Sequence, residues 1–218
     1  MKENYFIRDR MPKRLLMAFV GTVLTGICVG AMQKAAFGTD PFTCFVQAAA
    51  YMFHTTYGNI YPIITGVFLV FALIFNRHLI GIATLMNLFL IGGCAEWTKQ
   101  LLNEIPGSDF FAFRLILLVI SLVVVCFSTS LYFVADLGVS AYDVIALTLS
   151  EKYKIAAFRT CRVACDLICC ICGVLSKVII GVGTVATALF MGPVIQWFNS
   201  HVSEKLLYGE TEIAEAVE

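Results

Sequence analysis

The second half of this chain aligns with the first at a constant offset of 100 residues, without a gap. Ten of the 86 positions from 14 to 99 are identical in the two copies. Most identities fall on small residues, Thr or Trp near the ends of apolar runs. The pairs are Arg14/Arg114, Leu15/Leu115, Val23/Val123, Ala35/Ala135, Gly38/Gly138, Ile80/Ile180, Gly81/Gly181, Thr84/Thr184, Gly92/Gly192 and Trp97/Trp197. A duplicated unit of membrane segments is typical of transporter-like folds, whose site lies between the two copies.

Apolar runs long enough to cross a bilayer occur three times in each copy. Hydrophobic residues make up 60% of the chain and charged residues 14%, against about 45–50% and 25% in soluble domains. A helix needs about 20 apolar residues to cross the hydrocarbon core. We therefore predict an all-α polytopic membrane protein with six spans, at 15–36, 57–75, 79–98, 114–135, 157–176 and 178–198.

A shorter apolar segment follows the first span of each copy, at 41–53 and at 141–149. Each begins just after a matched glycine, and Asp40 and Ser140 precede them as good N-cap residues. Pro41 suits the first position of a helix. We predict two half-helices, either re-entrant or at the interface. If both crossed instead, the chain would have eight spans.

The odd number of spans per copy requires the second copy to be inverted relative to the first. With the N-terminus in the cytoplasm, inner segments carry eleven Lys and Arg and outer segments four, as the positive-inside rule expects. We predict cytoplasmic N- and C-termini. The regions are a basic N-terminus at 1–13, membrane repeats at 14–99 and 114–199, an extracytoplasmic linker at 100–113 and an acidic tail at 200–218.

The glycine breaks before the half-helices are the first candidate site. A broken backbone at membrane depth is tolerated only where protein or water covers it. Two helix N-termini meeting there would favour an anionic or carboxylate-bearing solute. The alternative is a plain interfacial turn. The candidate solute-binding residues are Gly38, Asp40, Pro41, Gly138, Ser140, Tyr142 and Asp143.

Asp166 is the acid deepest within a predicted span. An ionisable group inside a span is a functional candidate because its burial is unfavourable. Asp166 and Arg162 are therefore candidates for ion or proton coupling. Since Arg162 lies four residues earlier on the same helix face, a structural ion pair is the alternative. Asp143 and Asp40 are equally candidates for structural caps.

Small residues at helical spacing predict close helix packing. The candidate packing residues are Gly26, Gly30, Gly81, Thr84, Gly92, Gly181, Thr184 and Gly192. Gly26 and Gly30 could also serve a homodimer. Segment 181–184 is alternatively loose enough for ion coordination.

Other chemistry has little support in the sequence. Cys161, Cys165, Cys169 and Cys172 form one helical stripe, which favours packing over a metal site, because one helix face cannot surround an ion tetrahedrally. No catalytic motif is present. We expect no enzymatic activity, no cofactor, no metal and no nucleic-acid partner, with lipid as the main partner.

The second copy contains Leu137-Gly138-x-x-x-Tyr142-Asp143 and Ile180-Gly181-x-Gly183-Thr184 followed by Gly192-Pro193. These motifs resemble those of the YczE-like bacterial membrane proteins, which are related to the YitT group. The first copy departs from them, with Ala83 and Phe42-Thr43 at the matching positions. The resemblance implies a bacterial cytoplasmic membrane and brings no established activity.

These observations favour a transporter-like permease for a small solute, with its site between the repeats. The alternative is an accessory or scaffold protein of the membrane that transports nothing. A hydrated crevice reaching Tyr142 and Asp166 would favour transport. Half-helices at the bilayer surface, without a polar cavity, would favour the scaffold.

Overall fold

The computed structural model describes residues 10–77, 80–156, 158–176, 178 and 181–209, and over those residues the chain is all-helical. Most of the basic N-terminus and the acidic end of the tail therefore lie outside the described residues. The helices are α1 (Met11–Ala35), α2 (Pro41–Met52), α3 (Tyr57–Phe75), α4 (Ile82–Asn103), α5 (Phe111–Ala135), α6 (Ala141–Leu147), α7 (Phe158–Leu175), α8 (Val182–Phe198) and α9 (Glu204–Tyr208). Single π-helical turns follow α6, at Thr148–Lys152, and α8, at Asn199–Ser203.

Three helices, α1, α3 and α5, are long and apolar enough to cross a membrane. Their outward faces are apolar, and large hydrophobic side chains are exposed along them: Leu16, Phe19, Ile63, Val67, Val70, Ile74, Ile116, Val119, Ile120 and Val123. An apolar surface of this extent is unusual on a soluble monomer and indicates a membrane protein. The other three predicted spans fall on α4, α7 and α8, which do not reach the same combination of length and mean hydropathy over the described residues.

The predicted half-helices coincide with α2 and α6. Helix α2 has 12 residues and α6 has seven before its π-helical turn. At 1.5 Å per residue, even α2 is about 18 Å long, well short of a bilayer core. Neither segment could cross the hydrocarbon alone.

Helices α1 and α5, the first helices of the two copies, pack against each other in antiparallel orientation. Arg14, near the start of α1, donates a hydrogen bond from Nη1 to the carbonyl of Ala135, at the end of α5, over 3.2 Å. Arg114, near the start of α5, donates from Nε to the carbonyl of Ala35, at the end of α1, over 2.8 Å. Each arginine satisfies a carbonyl left free at a helix end. These four residues are two of the matched pairs of the repeat.

Replacing Arg114 by Gln should lower the free energy of unfolding by about 1–3 kcal/mol, the usual contribution of a charged hydrogen bond. The variant also loses the guanidinium that lies 5.0 Å from the ring centroid of Phe37. Lys13→Gln is the matched control, because Lys13 is exposed. Unfolding in detergent micelles, followed by denaturant titration, would measure both. Equal effects of the two substitutions would contradict the capping role.

The chain leaves α1 and α5 through left-handed residues. Ala36 and Asp136 have φ of 54° and 51°, and Gly38 and Gly138 have φ of 99° and 111°. The second pair favours glycine, since φ values in this range are strained for residues with a Cβ. Both breaks therefore have the same backbone course, as the repeat predicts.

Each break lies against the start of the last helix of the other copy: the first break against α8, and the second against α4. The N–H of Gly183 donates to the carbonyl of Phe37 over 2.9 Å, and the N–H of Ala83 donates to the carbonyl of Leu137 over 3.0 Å. Thr84 Oγ1 donates to the carbonyl of Val139 over 2.7 Å. The breaks thus exchange backbone hydrogen bonds between the copies.

The predicted packing glycines differ in what surrounds them. A Cβ on Gly81 or Gly181 would collide with a backbone carbonyl of the opposite break. Gly92 lies against Tyr61, with 3.0 Å from its ideal Cβ to the Tyr61 Cβ. Gly192 is different, since no described atom lies within 4 Å of its ideal Cβ. Packing is therefore the wrong interpretation for Gly192, because its face of α8 is open.

Gly26 and Gly30 pack α1 against α4 of the same chain. The ideal Cβ of Gly26 would clash with the Cβ of Cys94 and lie close to the main chain of Ile91, and that of Gly30 would clash with Thr98 and the carbonyl of Ala95. This close approach uses the whole Gly26–Gly30 face internally. A homodimer would therefore need another surface.

The last described helix returns to the start of the first. Leu207 is fully buried, and its carbonyl accepts a hydrogen bond from Arg10 over 3.0 Å. Arg14 donates from Nη2 to the hydroxyl of Tyr208 over 3.0 Å. Residues up to 209 are thus part of the packed structure and not of a solvated tail.

Candidate functional site

The two half-helices meet at their N-terminal ends. The rings of Phe42 and Tyr142, which occupy matching positions of the two copies, stack with centroids 4.8 Å apart and an interplanar angle of 22°. Phe68 of α3 packs beside both rings. Beyond α6, Tyr153 lies 6.5 Å from Phe75, between ring centroids, at the end of α3, whereas Tyr51 of α2 faces the region where α3 begins. The half-helices therefore run in opposite directions from a shared centre.

Asp40 caps the first half-helix, as predicted. Its Oδ2 accepts a hydrogen bond from the N–H of Thr43 over 3.0 Å, and Pro41 is the first helical residue. Ser140 also occupies the N-cap position of α6, but its side chain makes no capping hydrogen bond. The two N-termini thus have different chemistry, although their backbones correspond.

An ion cluster lies on the second-copy side of this centre. Arg162 of α7 forms ion pairs with Asp143 of α6 through Nη1 and with Asp166 through Nε, the latter over 3.4 Å. Tyr142 donates its hydroxyl to Oδ1 of Asp166 over 2.7 Å. The guanidinium carbon of Arg162 also lies 4.6 Å from the ring centroid of Tyr142.

The structure corrects the sequence interpretation of Asp143. We expected its carboxylate to satisfy free N–H groups at the start of α6, and it pairs with Arg162 of α7 instead. The side chain of Asp143 is 10% exposed and that of Asp166 18% exposed. Charges removed this far from water need a partner. Arg162 supplies it for both acids, and the predicted Arg162–Asp166 pair is one half of a larger cluster.

The charge balance of this centre is negative. Asp40 interacts electrostatically with both Arg162 and Asp166. Among the described residues, the carboxyl groups of Asp40, Asp143 and Asp166 thus lie around the guanidinium of Arg162, which forms ion pairs with the last two. Such a balance attracts a cation or a proton and repels an anion. The centre itself is thus poorly suited to the anionic solute that two bare helix N-termini predicted.

A polar cleft of about 480 Å³ opens beside the first half-helix. It lies between α1, the C-terminal end of α2, the start of α3 and the end of α4, and it extends to Gly38. Its polar lining includes Gln33, Gln47, Tyr57, Glu96 and Lys99. Tyr142 and Asp166 do not line it. The cleft therefore approaches the centre without entering the ion cluster.

Sequence reasoning did not identify Gln33 and Gln47 as residues that line a polar cleft. A signal existed, because the matching positions of the second copy are Phe133 and Leu147. Polar residues in one copy opposite apolar residues in the other indicate a surface that the copies do not share. Of the predicted binding residues, Asp40, Tyr142 and Asp143 lie at the centre where the half-helices meet.

The glycine breaks lie beside this centre and not in it. Gly38 packs against Thr184, and Gly138 against Thr84 and Gly81. The threonine in each contact lies on the last helix of the opposite copy, α8 or α4. These residues fix how the copies meet, and Gly38 in addition lies at the edge of the polar cleft, which Gly138 does not line.

The chain belongs to a family of unknown function (DUF6198), whose model matches residues 12–200. It is 26% identical over 184 residues to an uncharacterized protein of Haemophilus influenzae, covering 84% of this chain and 81% of that protein. No solved structure matches the chain. The family match covers most of both copies.

Proposed function

We propose that this protein is a transporter-like permease that moves a small solute through a site between its two copies. The observation that carries the proposal is the meeting of the two half-helix N-termini at Phe42 and Tyr142, next to the buried cluster of Asp143, Arg162 and Asp166. Interrupted helices that converge inside a membrane protein are the usual construction of a solute site. A structural role alone would be met more simply by continuous helices.

The architecture that goes with this proposal is six spans in two repeats of inverted topology. The reciprocal hydrogen bonds of Arg14 with Ala135 and of Arg114 with Ala35 support it, because they require the first helices of the copies to be antiparallel. The positive-inside count supports cytoplasmic termini. A bacterial cytoplasmic membrane is what the resemblance to YczE-like and YitT-related proteins implies.

Asp166 is the proposed coupling acid, and Arg162 is its ion-pair partner. The hydroxyl of Tyr142 and the guanidinium of Arg162 both contact Oδ1 of Asp166. A cation or a proton arriving at this carboxylate would compete with Arg162, and the ion pair would then have to rearrange. In one arrangement Asp166 is paired with Arg162, and in the other it holds the cation or proton. Exchange between them would couple ion binding to movement of α7. The proposal involves no enzymatic step and no cofactor.

Uptake into proteoliposomes tests the proposal. Asp143→Asn and Asp166→Asn should each reduce uptake of the transported solute by about tenfold or more, the effect of losing one charged hydrogen bond. Asp109→Asn is the matched control, because Asp109 is fully exposed and pairs only with Lys34 in the described structure. Gly138→Leu is a further variant, which should abolish uptake by disturbing the contact between the copies.

The solute panel should include cations, zwitterions, anions and neutral polar compounds, each with and without a pH gradient. All variants need a folding check by size-exclusion chromatography. If no compound is taken up above the level of empty liposomes, or if Asp143→Asn and Asp166→Asn transport as well as Asp109→Asn, the proposal is contradicted.

The second candidate is an accessory or scaffold protein that transports nothing. One observation favours it: both acids of the cluster are already paired with Arg162, so the cluster is satisfied without a ligand. On this view the ion cluster only fixes α6 against α7. The same assay distinguishes the two candidates, since a scaffold would give no uptake while remaining folded.

A further inference from the structure

The polar cleft has the size and position of a binding site. Its volume of about 480 Å³ lies within the range of about 300–1,000 Å³ that is usual for small-molecule sites. It is formed by four helices of the first copy together with Ser176 and Val178 of the second, and it touches the break at Gly38. Two charged residues, Glu96 and Lys99, line it together with the amides of Gln33 and Gln47.

Gln33 is buried without hydrogen-bond partners. The residue is only 9% exposed, and neither Oε1 nor Nε2 of its amide has a partner among the described residues. Leaving a buried amide unpaired is unfavourable, whereas an apolar side chain would be tolerated at such a place. An unpaired donor and an unpaired acceptor on one side chain beside the cleft could both be satisfied by a polar molecule that donates and accepts hydrogen bonds.

Glu96 and Lys99 bring opposite charges into the same cleft without pairing with each other. They lie one turn apart on α4, and no ion pair joins them within the described part of the chain. Glu96 is held in place, because its Oε2 accepts from the N–H of Gly58 and its Oε1 from Nε2 of Gln100, both over 3.3 Å. The cleft thus presents a fixed carboxylate and an ammonium to the same small volume.

We propose that the cleft binds a small zwitterionic solute, one that carries an ammonium and a carboxylate a few bonds apart. Lys99 receives the carboxylate of the solute, Glu96 receives its ammonium, and the Gln33 amide hydrogen-bonds to both groups. Charged hydrogen bonds of this kind are about twice as strong as neutral ones. Binding of the zwitterion does not depend on the proposed function. Only the consequence that this solute is also transported rests on it.

The second copy cannot form an equivalent site. The positions that match Gln33, Glu96 and Lys99 are Phe133, Gln196 and Asn199, which carry no charge. The cleft is therefore a feature of one side of the molecule. It places the zwitterion next to Gly38, between the surface and the acidic centre.

Equilibrium binding to the purified full-length protein in nanodiscs tests this proposal. The probes are the protein amino acids, each compared with its amine-only and acid-only analogue, and glycine betaine and taurine test whether an N–H donor and a carboxylate are required. At least one zwitterion should bind, with both analogues weaker by about tenfold or more. Lys99→Met and Glu96→Gln should weaken that binding similarly, and Gln196→Leu, at the matching position of the second copy, should leave it unchanged.

Gln33→Leu separates a binding role from a structural one. It should reduce binding by about tenfold and keep or raise the melting temperature, because it removes an unpaired amide. If no zwitterion binds, if the analogues bind equally well, or if Lys99→Met binds as the wild type does, the proposal is overturned. Binding without uptake would contradict only the permease, and uptake with no binding at the cleft would contradict only this inference.

Discussion

Replacing Gly81 by alanine is expected to lower the free energy of unfolding by about 3 kcal/mol or more, the upper end of the effect of overpacking. A Cβ at this position would collide with the carbonyl of Leu137 and lie 3.0 Å from the N–H nitrogen of Gly138. Gly81 has φ of −140°, which any residue can adopt, so the effect comes from the collision and not from the backbone conformation. Because the obstructing atoms belong to the backbone, no side-chain rotation can relieve it.

Gly93→Ala on the same helix is the matched control for this prediction. No described atom lies within 4 Å of the ideal Cβ of Gly93. Alanine is favoured over glycine inside a helix by about 0.5–1 kcal/mol, so Gly93→Ala should be neutral or stabilising. Unfolding in the same detergent, by denaturant titration, compares the two variants directly. Similar stabilities would mean that the copies do not meet at Gly81 as described.

The same collision exists at the matching position of the second copy. A Cβ on Gly181 would meet the carbonyl of Phe37. The identities of the repeat thus have a common physical reason at Gly81/Gly181, at Arg14/Arg114 and at Ala35/Ala135, since each residue contacts the other copy. A glycine is kept twice because the same close approach is made twice.

The half-helices could be predicted from sequence because their signals are local. Asp40-Pro41 after a glycine marks a helix start through capping and a fixed proline φ, and the structure begins α2 at Pro41. The predicted segments at 41–53 and 141–149 end within two residues of α2 and α6. Differences of this size are ordinary at helix ends.

The pairing of Asp143 could not be predicted, because it depends on how α6 and α7 approach each other. The sequence places Arg162 one turn before Asp166, which any helix would bring together. It places Asp143 19 residues before Arg162 across a turn, and only tertiary packing makes that contact. The cleft had the same difficulty, since Gln33 and Glu96 lie on helices whose rotation the sequence does not determine.

Replacing Arg162 by Met is expected to destabilise the protein by about 3–5 kcal/mol, as the removal of one partner from a buried ion pair does. The side chains of Asp143 and Asp166 would keep 10% and 18% exposure with no cation beside them. Neutralising one acid should therefore restore stability, so that Arg162→Met with Asp143→Asn is more stable than Arg162→Met alone. Arg162→Lys should lose less than Met, because the charge remains and only the second contact is lost.

This series also separates the two candidate functions, because it measures stability and uptake on the same proteins. In a permease coupled through Asp166, the double variant regains its fold and not its uptake, since the charge that competes for Asp166 is absent. A scaffold protein would show no uptake in any variant, and the double variant would differ from Arg162→Met only in its stability. Denaturant unfolding of the wild type, Arg162→Met, Asp143→Asn and the double variant gives the coupling energy of Arg162 with Asp143 directly. A coupling near zero would contradict the pairing of Arg162 with Asp143, and with it the ion cluster at the meeting point of the half-helices.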